Sequence, residues 1–111
     1  MGVADIYNVP SSPESRSQWA FAHMAHHRDC IRRVAELGGE NLTEYPLDPI
    51  DFDDPGIFIY NHQQMHNDLN SALGVFGNDL TDVEFSKPAE LSAWVQLNAS
   101  EHYQYNNLLG V

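Results

Sequence analysis

The chain has 111 residues, which is enough for one domain with a single modest core. Five Lys and Arg residues against sixteen Asp and Glu residues give a net charge of −11 with neutral histidines. This charge argues against direct nucleic-acid binding and against docking on an anionic membrane, because both need a basic face. The single cysteine, Cys30, cannot form an internal disulfide.

Residues 1–11 show no helical period, and we expect them to form an extended N-terminal arm. Residues 12–111 are expected to form a single helical domain. No signal peptide is visible, and no stretch approaches the ~18 apolar residues of a membrane span. The sequence therefore predicts synthesis in a reducing cytoplasm and no membrane partner.

The first helix is predicted over residues 13–37, with Ser12 as its N-cap and Gly38-Gly39 at its end. A helical period places one broad apolar stripe along it. The stripe consists of Trp19, Ala20, Met24, Cys30, Ile31, Val34 and Leu37. His23 and His27 lie in the middle of this stripe and His26 lies at its edge, so imidazoles stand where leucines are expected.

A loop of residues 38–54 follows, which is long for a compact domain. The second helix is predicted over residues 55–73, with Pro55 at its first position and Gly74 at its end. Its inward face is predicted to carry Phe58, His62, Met65, Leu69, Ala72 and Leu73. His66 is placed toward one edge of that face.

The third helix is predicted over residues 88–109, between Ser86-Lys87-Pro88 and Gly110. Its apolar stripe is bordered by Glu101. The stripe consists of Leu91, Trp94, Val95, Asn98, His102, Tyr105 and Leu109. Three helices that are each apolar on one face predict an all-α fold class: a small three-helix domain with long loops and an extended N-terminal arm.

Five histidines have a spacing that suits a transition-metal ion. The candidate ligands are His23, His27, His62, His66 and His102. The first two and the next two are each four residues apart, which places two imidazoles on one helix face. Glu101 or Asp68 is a candidate carboxylate beside them. The zincin motif and the Glu-x-x-His pairs of di-iron bundles are absent.

The alternatives to a metal are a buried hydrogen-bond network and polar contacts in a subunit interface. In the network, which the sequence favours, the histidines are satisfied by one another and by Asn61, Asn98 and Tyr105. On that interpretation no metal and no cofactor is bound. A nucleophilic Cys30 is not expected, because a reactive thiolate needs access to solvent and a positive environment. We identify no catalytic residue, so the chain is not predicted to be an enzyme.

Several segments between residues 17 and 111 resemble short proteins encoded among the virion genes of tailed bacteriophages. These segments are Ser17-Gln18-Trp19 with Ala22-His23 and His26-His27, then His62-Gln63-Gln64-Met65-His66-Asn67, Asp79-Leu80-x-Asp82-Val83 and Trp94-Val95-Gln96-Leu97-Asn98-Ala99-x-Glu101-His102. The resemblance implies a structural component of the particle and transfers no functional residue.

The leading hypothesis from the sequence is therefore a structural component of a tailed-phage virion, in the capsid, the head–tail junction or the tail. Its expected partners are other virion proteins and copies of itself. Contacts between subunits are expected from residues 1–11, from the loop 38–54, and from the off-stripe aromatics Phe21, Tyr60 and Tyr103. The alternative hypothesis is a metal-binding helical domain, possibly an enzyme, that uses the five histidines.

Overall fold

The computed structural model describes residues 13–47 and 56–111, and it shows a small all-α domain. The helices are α1 (Pro13–Glu36), α2 (Gly56–Leu73) and α3 (Pro88–Leu109). The described residues contain no strand. The three predicted helices begin and end within one residue of these bounds, so the predicted fold class is confirmed. The predicted arm, residues 1–11, and the acidic end of the first loop lie outside the described residues.

Backbone chemistry explains where the helices stop. Pro88 occupies the first turn of α3, where a missing N–H costs nothing. Gly110 ends α3 in the left-handed conformation at φ 71°, and its N–H donates to the Asn106 carbonyl at 2.8 Å. Gly74 ends α2 in the same way at φ 67°. A side chain at either position would meet the steric penalty of left-handed backbone.

The core has two apolar clusters, and α1 packs against both α2 and α3 to form them. The Trp94 cluster consists of Trp19, Ala20, Met24, Ile31, Leu47, Phe58, Met65, Leu80, Phe85 and Trp94. The Leu69 cluster consists of Cys30, Val34, Leu69, Tyr105 and Leu109. Rings of Trp19 and Phe58 lie 5.7 Å apart and those of Phe58 and Trp94 lie 6.3 Å apart, so all three helices meet in the first cluster.

Side-chain hydrogen bonds hold the two connections against the helices. Asn61 Nδ2 donates to the Pro46 carbonyl at 2.9 Å, which fixes this part of the first loop on α2. The second connection is fixed at Leu80: its N–H donates to Gln63 Oε1 at 2.7 Å and its carbonyl accepts from the Trp94 indole at 2.9 Å. Leu80 is itself buried, so this segment packs against the helices as part of the core.

The helical period misplaced several residues. Leu37 and Ala72 were predicted to face inward, but both are exposed, Leu37 by 58%. Leu37 lies one residue beyond α1, so the helical period no longer sets the direction of its side chain. His66 and Glu101 were placed at the edges of their stripes, but both are buried. The connection after α2 covers Glu101 through Asn78, and Glu101 and Tyr105 of α3 cover His66.

Candidate metal centre

Five buried histidines converge from the three helices to one point of the core. The histidine cluster consists of His23 and His27 from α1, His62 and His66 from α2, and His102 from α3. Each has 0% exposure, and one ring nitrogen from each can be chosen so that all five atoms lie within 4.8 Å of one another. The five candidate ligands named from the sequence are therefore the five that the fold brings together.

His27 lies at the centre of the cluster. Its ring centroid is 4.9 Å from those of His23 and His102, 5.0 Å from that of His66 and 5.3 Å from that of His62. The cluster lies between the two apolar clusters of the core. Trp19 stacks on His23 at 4.5 Å on one side, and the Tyr105 ring lies 5.5 Å from His66 on the other. The histidines are thus a polar layer between two apolar layers.

Glu101 fixes the orientation of His66. The Nδ1 atom of His66 lies 3.2 Å from Glu101 Oε1 and 3.1 Å from the Tyr105 hydroxyl. Because the hydroxyl donates its proton to Asn70 Oδ1 at 2.6 Å, and a carboxylate only accepts, Nδ1 of His66 carries a proton. Nε2 of a neutral His66 then carries a lone pair, which faces the cluster.

Glu101 is itself held by donors on every side. Asn70 Nδ2 donates to its Oε1 at 3.0 Å, and the backbone and side-chain nitrogens of Asn78 approach its Oε2 at 3.2 and 3.3 Å. Asn70 and Asn78 also line an open cleft of about 570 Å³ that none of the five histidines lines. The carboxylate therefore orients the imidazole from outside the histidine cluster.

A second hydrogen-bond chain fixes His102. His26 Nε2 lies 2.6 Å from Asn106 Oδ1, an acceptor, so this nitrogen carries a proton. The other nitrogen of a neutral His26 accepts, and it lies 2.7 Å from Nδ1 of His102. His102 therefore donates through Nδ1 and keeps its Nε2 lone pair. His26, which the sequence placed at the edge of the stripe, is half-buried and acts from outside the cluster.

Several ring nitrogens in the cluster lack hydrogen bonds among the described residues. Both nitrogens of His27 and Nε2 of His66 are buried without such a partner, and so is Nδ1 of His62. Nε2 of His62 has a partner, Nε2 of His23, at 3.0 Å. Outside the cluster, the Trp19 indole N–H is also buried, and it has no hydrogen bond to any residue that the structure describes. The network predicted from the sequence thus leaves its central members unsatisfied.

Burial strongly disfavours protonation of three members of the cluster. It lowers the pKa of His27, His62 and His102 well below the usual value of 6.5, and repulsion by the neighbouring histidines lowers each pKa further. Asn98 lies close enough to His62 to oppose this shift, but its geometry makes no hydrogen bond. The three imidazoles are consequently neutral near pH 7, which is the form that binds metals.

Glu101, in contrast to these histidines, is stabilised in its charged form. Burial alone would raise the pKa of its carboxyl, but hydrogen bonds from His66, Asn70 and the Asn78 backbone, together with the charge that His66 can carry, lower it to about 2. The carboxylate is therefore charged at neutral pH. Among the described residues it has no Lys or Arg partner, since the salt bridges of Arg28, Arg32, Arg33 and Lys87 are with other acids.

Other side chains considered from the sequence stay outside this centre. Asp68 is half-buried and does not join the group. Cys30 belongs to the Leu69 cluster, and burial raises its thiol pKa to about 12, so it is an inert core thiol. Sequence reasoning missed Asn70 and Asn78 altogether. Asn78 acts through its backbone from a turn, and no helical period could have revealed that contact.

The comparisons add no family to this geometry. Family models, curated proteins and solved structures give no match to the chain. Within the described residues, none of the helices has the length and apolar character that crossing a membrane requires.

Proposed function

We propose that this chain is a metal-binding helical domain whose core is completed by a transition-metal ion held by the histidine cluster. The observation that carries the proposal is the convergence of five buried imidazoles whose central nitrogens lack hydrogen bonds among the described residues. Imidazole nitrogen is a preferred ligand of zinc, copper, iron and nickel, whereas calcium and magnesium prefer oxygen.

The energetic cost of leaving the cluster without an ion supports this assignment. A buried polar atom without a hydrogen bond costs about 1–3 kcal/mol. A neutral imidazole has one lone pair, so the acceptor nitrogen of His27 and Nε2 of His66 cost about 2–6 kcal/mol together. A domain of this size is stable by only about 5–15 kcal/mol. An ion that accepts those two lone pairs removes a penalty that is a large part of the stability of the fold.

The surroundings of the cluster match those of known kinds of metal site. Metal-bound histidines usually donate their second ring nitrogen to a carboxylate or carbonyl, which orients the ring and raises its basicity. His66 does this through Glu101 at 3.2 Å. Glu101 has no Lys or Arg partner among the described side chains, and beside a neutral His66 its charge would be balanced by a divalent ion on the far side of that ring.

This proposal gives the metal a structural role. All five histidines have 0% exposure, and the nearby cleft is lined by residues of α2 and of the connection after it, not by the histidines. A catalytic metal keeps a position open to substrate. We therefore assign no reaction to the centre.

The test is the metal content of the full chain produced without a His-tag. We expect native mass spectrometry and elemental analysis to find one transition ion per chain, and a His27→Leu variant to lose it. Leucine fills the central position with an apolar side chain of similar size. Met65→Leu is the matched control, because Met65 is a fully buried residue of α2 that is not a candidate ligand. A wild-type protein that stays metal-free when incubated with Zn²⁺, Co²⁺, Ni²⁺ and Fe²⁺ would contradict the proposal.

A second proposed function is the structural role in a tailed-phage virion that the sequence resemblance implies. It is supported by large apolar side chains on the surface: Phe76 is 100% exposed, Ile57 75%, Phe21 74% and Tyr60 60%. Large apolar and aromatic side chains are enriched at subunit interfaces. Such a subunit can also contain a structural metal, so the two proposals are compatible.

Particle composition tests the second proposal. In particles of a phage that encodes this chain, we expect mass spectrometry to detect it in many copies. Its absence from both mature particles and assembly intermediates would exclude the structural role, while leaving the metal proposal unaffected.

A further inference from the structure

We infer that the histidine cluster binds one ion through all five imidazoles, and therefore selects a divalent ion that accepts five or six ligands over one held tetrahedrally. This inference rests on the proposed metal-binding function and specifies the coordination. It assigns Fe²⁺, Co²⁺, Ni²⁺ or Cu²⁺ as the class of ion, in place of the four-coordinate Zn²⁺ of ordinary structural sites.

The compactness of the cluster indicates one ion. Two nitrogens at about 2.1 Å from one ion lie about 3.0 Å apart at right angles and about 4.2 Å apart on opposite sides. The five nitrogens of the cluster lie within 4.8 Å of one another, and the His23–His62 pair is 3.0 Å apart. Two ions about 3.5–4 Å apart would need outer ligands separated by about 7–8 Å. The limit of 4.8 Å exceeds 4.2 Å by about 0.6 Å, a difference that small rotations of the side chains on binding would remove, so the donor atoms are placed for one coordination shell.

The carboxylate nearest to the cluster does not join that shell. Both oxygens of Glu101 are engaged outside it, Oε1 by His66 and Asn70 and Oε2 by Asn78. Glu101 consequently orients a ligand instead of being one. Without a carboxylate bridge, the arrangement also lacks the feature that usually holds two ions together in a helical domain.

Each of the five histidines offers one ring nitrogen to the shell. Hydrogen bonds on the outer nitrogens of His66 and His102 leave each Nε2 lone pair for the ion. His23 and His62 present their Nε2 atoms to each other at a separation suited to adjacent ligands. His27 lies in the middle with both nitrogens lacking hydrogen bonds among the described residues. The donor count is therefore five, one more than a tetrahedral ion uses.

Co²⁺ provides the first test, because its visible absorption is intense in four-coordinate sites and weak in five- or six-coordinate ones. Full-length protein without a tag is freed of metal with a chelator and titrated with Co²⁺. We expect one Co²⁺ per chain by native mass spectrometry and a weak visible spectrum. This measurement needs no variant and so does not depend on whether a variant folds.

Single substitutions of the five histidines by alanine provide the second test. Each should weaken Co²⁺ binding by more than about ten-fold, since even hydrogen-bond partners of metal ligands are commonly worth about 10–100-fold. Met65→Ala is the matched control, because it removes a fully buried side chain between His62 and His66 but keeps all five ligands. It should leave the Co²⁺ affinity and spectrum of the folded protein unchanged.

The outcomes separate this inference from the proposed function. One ion with intense tetrahedral absorption, or a histidine whose loss leaves affinity unchanged, would overturn the five-ligand inference while the metal-binding proposal stands. Two ions per chain would overturn the single-ion inference in the same way. Failure to bind any of these ions would overturn both.

Discussion

At the level of single residues, Glu101 is the side chain outside the histidine cluster that we expect to affect metal affinity most, through its contact with His66. It is 2% exposed and negatively charged, and it accepts a hydrogen bond from the proton-bearing nitrogen of His66. Glu101→Gln keeps the shape but removes the charge that makes the imidazole a stronger ligand. We expect Co²⁺ affinity to fall about 10–100-fold in chelator competition, with the helical content unchanged.

Glu44→Gln is the matched control for this substitution. Glu44 lies on the surface, where it pairs with Arg28 at 3.5 Å, so its replacement removes the same charge without touching the core. Its effect on affinity should be small. Equal losses in the two variants would show that overall negative charge, and not the contact between Glu101 and His66, attracts the ion.

Protonation of the buried histidines gives the metal-free protein a defined response to pH. The folded pKa values of His27, His62 and His102 are lowered, so near pH 6.5 and below the unfolded chain binds more protons than the folded one. The contribution of these histidines to the free energy of unfolding is constant above about pH 7. The free energy of unfolding then falls as the pH drops below 6.5. Each group contributes up to about 1.4 kcal/mol per pH unit.

Urea unfolding at pH 7.5, 6.5, 6.0 and 5.5 with chelator present measures this dependence. His27→Leu should reduce the slope by up to one proton, because it removes one of the histidines whose pKa is lowered in the folded protein; burial lowers the pKa of His26 as well, and that group remains in the variant. Glu101 adds nothing in this range, since its pKa of about 2 makes its stabilisation disappear only as pH falls from about 4.5 toward 2. An unfolding free energy that is the same at pH 7.5 and 5.5 would contradict the burial of neutral histidines.

At the level of elements, the connection between α2 and α3 closes the edge of the centre, and Gly77 determines how closely it approaches. A Cβ on Gly77 would collide with Asn70 Nδ2 and lie 3.0 Å from Glu101 Oε1. Gly77→Ala must therefore displace Asn70 from Glu101 or move the connection outward. We expect weaker Co²⁺ binding together with a lower unfolding free energy, measured by chelator competition and urea unfolding.

Gly74→Ala separates backbone strain from damage to the centre. Gly74 has φ 67°, and a Cβ there would meet no atom within 4 Å. Its replacement should cost about 1 kcal/mol of stability from the left-handed conformation and leave metal affinity unchanged. If Gly77→Ala behaved identically to Gly74→Ala, the connection would have no part in orienting the ligands.

The sequence predicted the elements better than the surroundings of each residue. Helix ends followed from Pro88 and from glycines such as Gly110, because these signals are local. The period also identified which histidines point inward. The helical period did not show that His66 and Glu101 are buried or that they contact each other. The reason is that the period of apolar residues indicates which face of a helix points inward, but it does not indicate which other segment covers the edge of that face. That cover comes from Asn78, across a turn with no helical pattern.

At the level of the whole molecule, the order of layers explains why metal binding and folding should be coupled. The histidine cluster lies between the Trp94 cluster and the Leu69 cluster, and the half-buried Leu42 packs against both apolar clusters. All three helices contribute ligands to the layer between them. An ion bound there connects α1, α2 and α3 at once, and it should bind the folded state far better than the unfolded chain.

Thermal unfolding measures that coupling directly. An ion at about 1,000 times its Kd stabilises the folded state by about 4 kcal/mol, provided it does not bind the unfolded chain. For a domain near 100 residues, 1 kcal/mol raises Tm by about 4 °C or more, so Ni²⁺ or Co²⁺ should raise Tm by roughly 15 °C over the chelated protein.

Mg²⁺ is the matched control, because it carries the same charge but prefers oxygen ligands, and it should leave Tm unchanged. An equal rise with Mg²⁺ would trace the effect to the net charge of −11, since a general divalent effect on an acidic surface needs no imidazole. A rise with Ni²⁺ that disappears in His27→Leu would instead place the stabilising ion in the histidine layer.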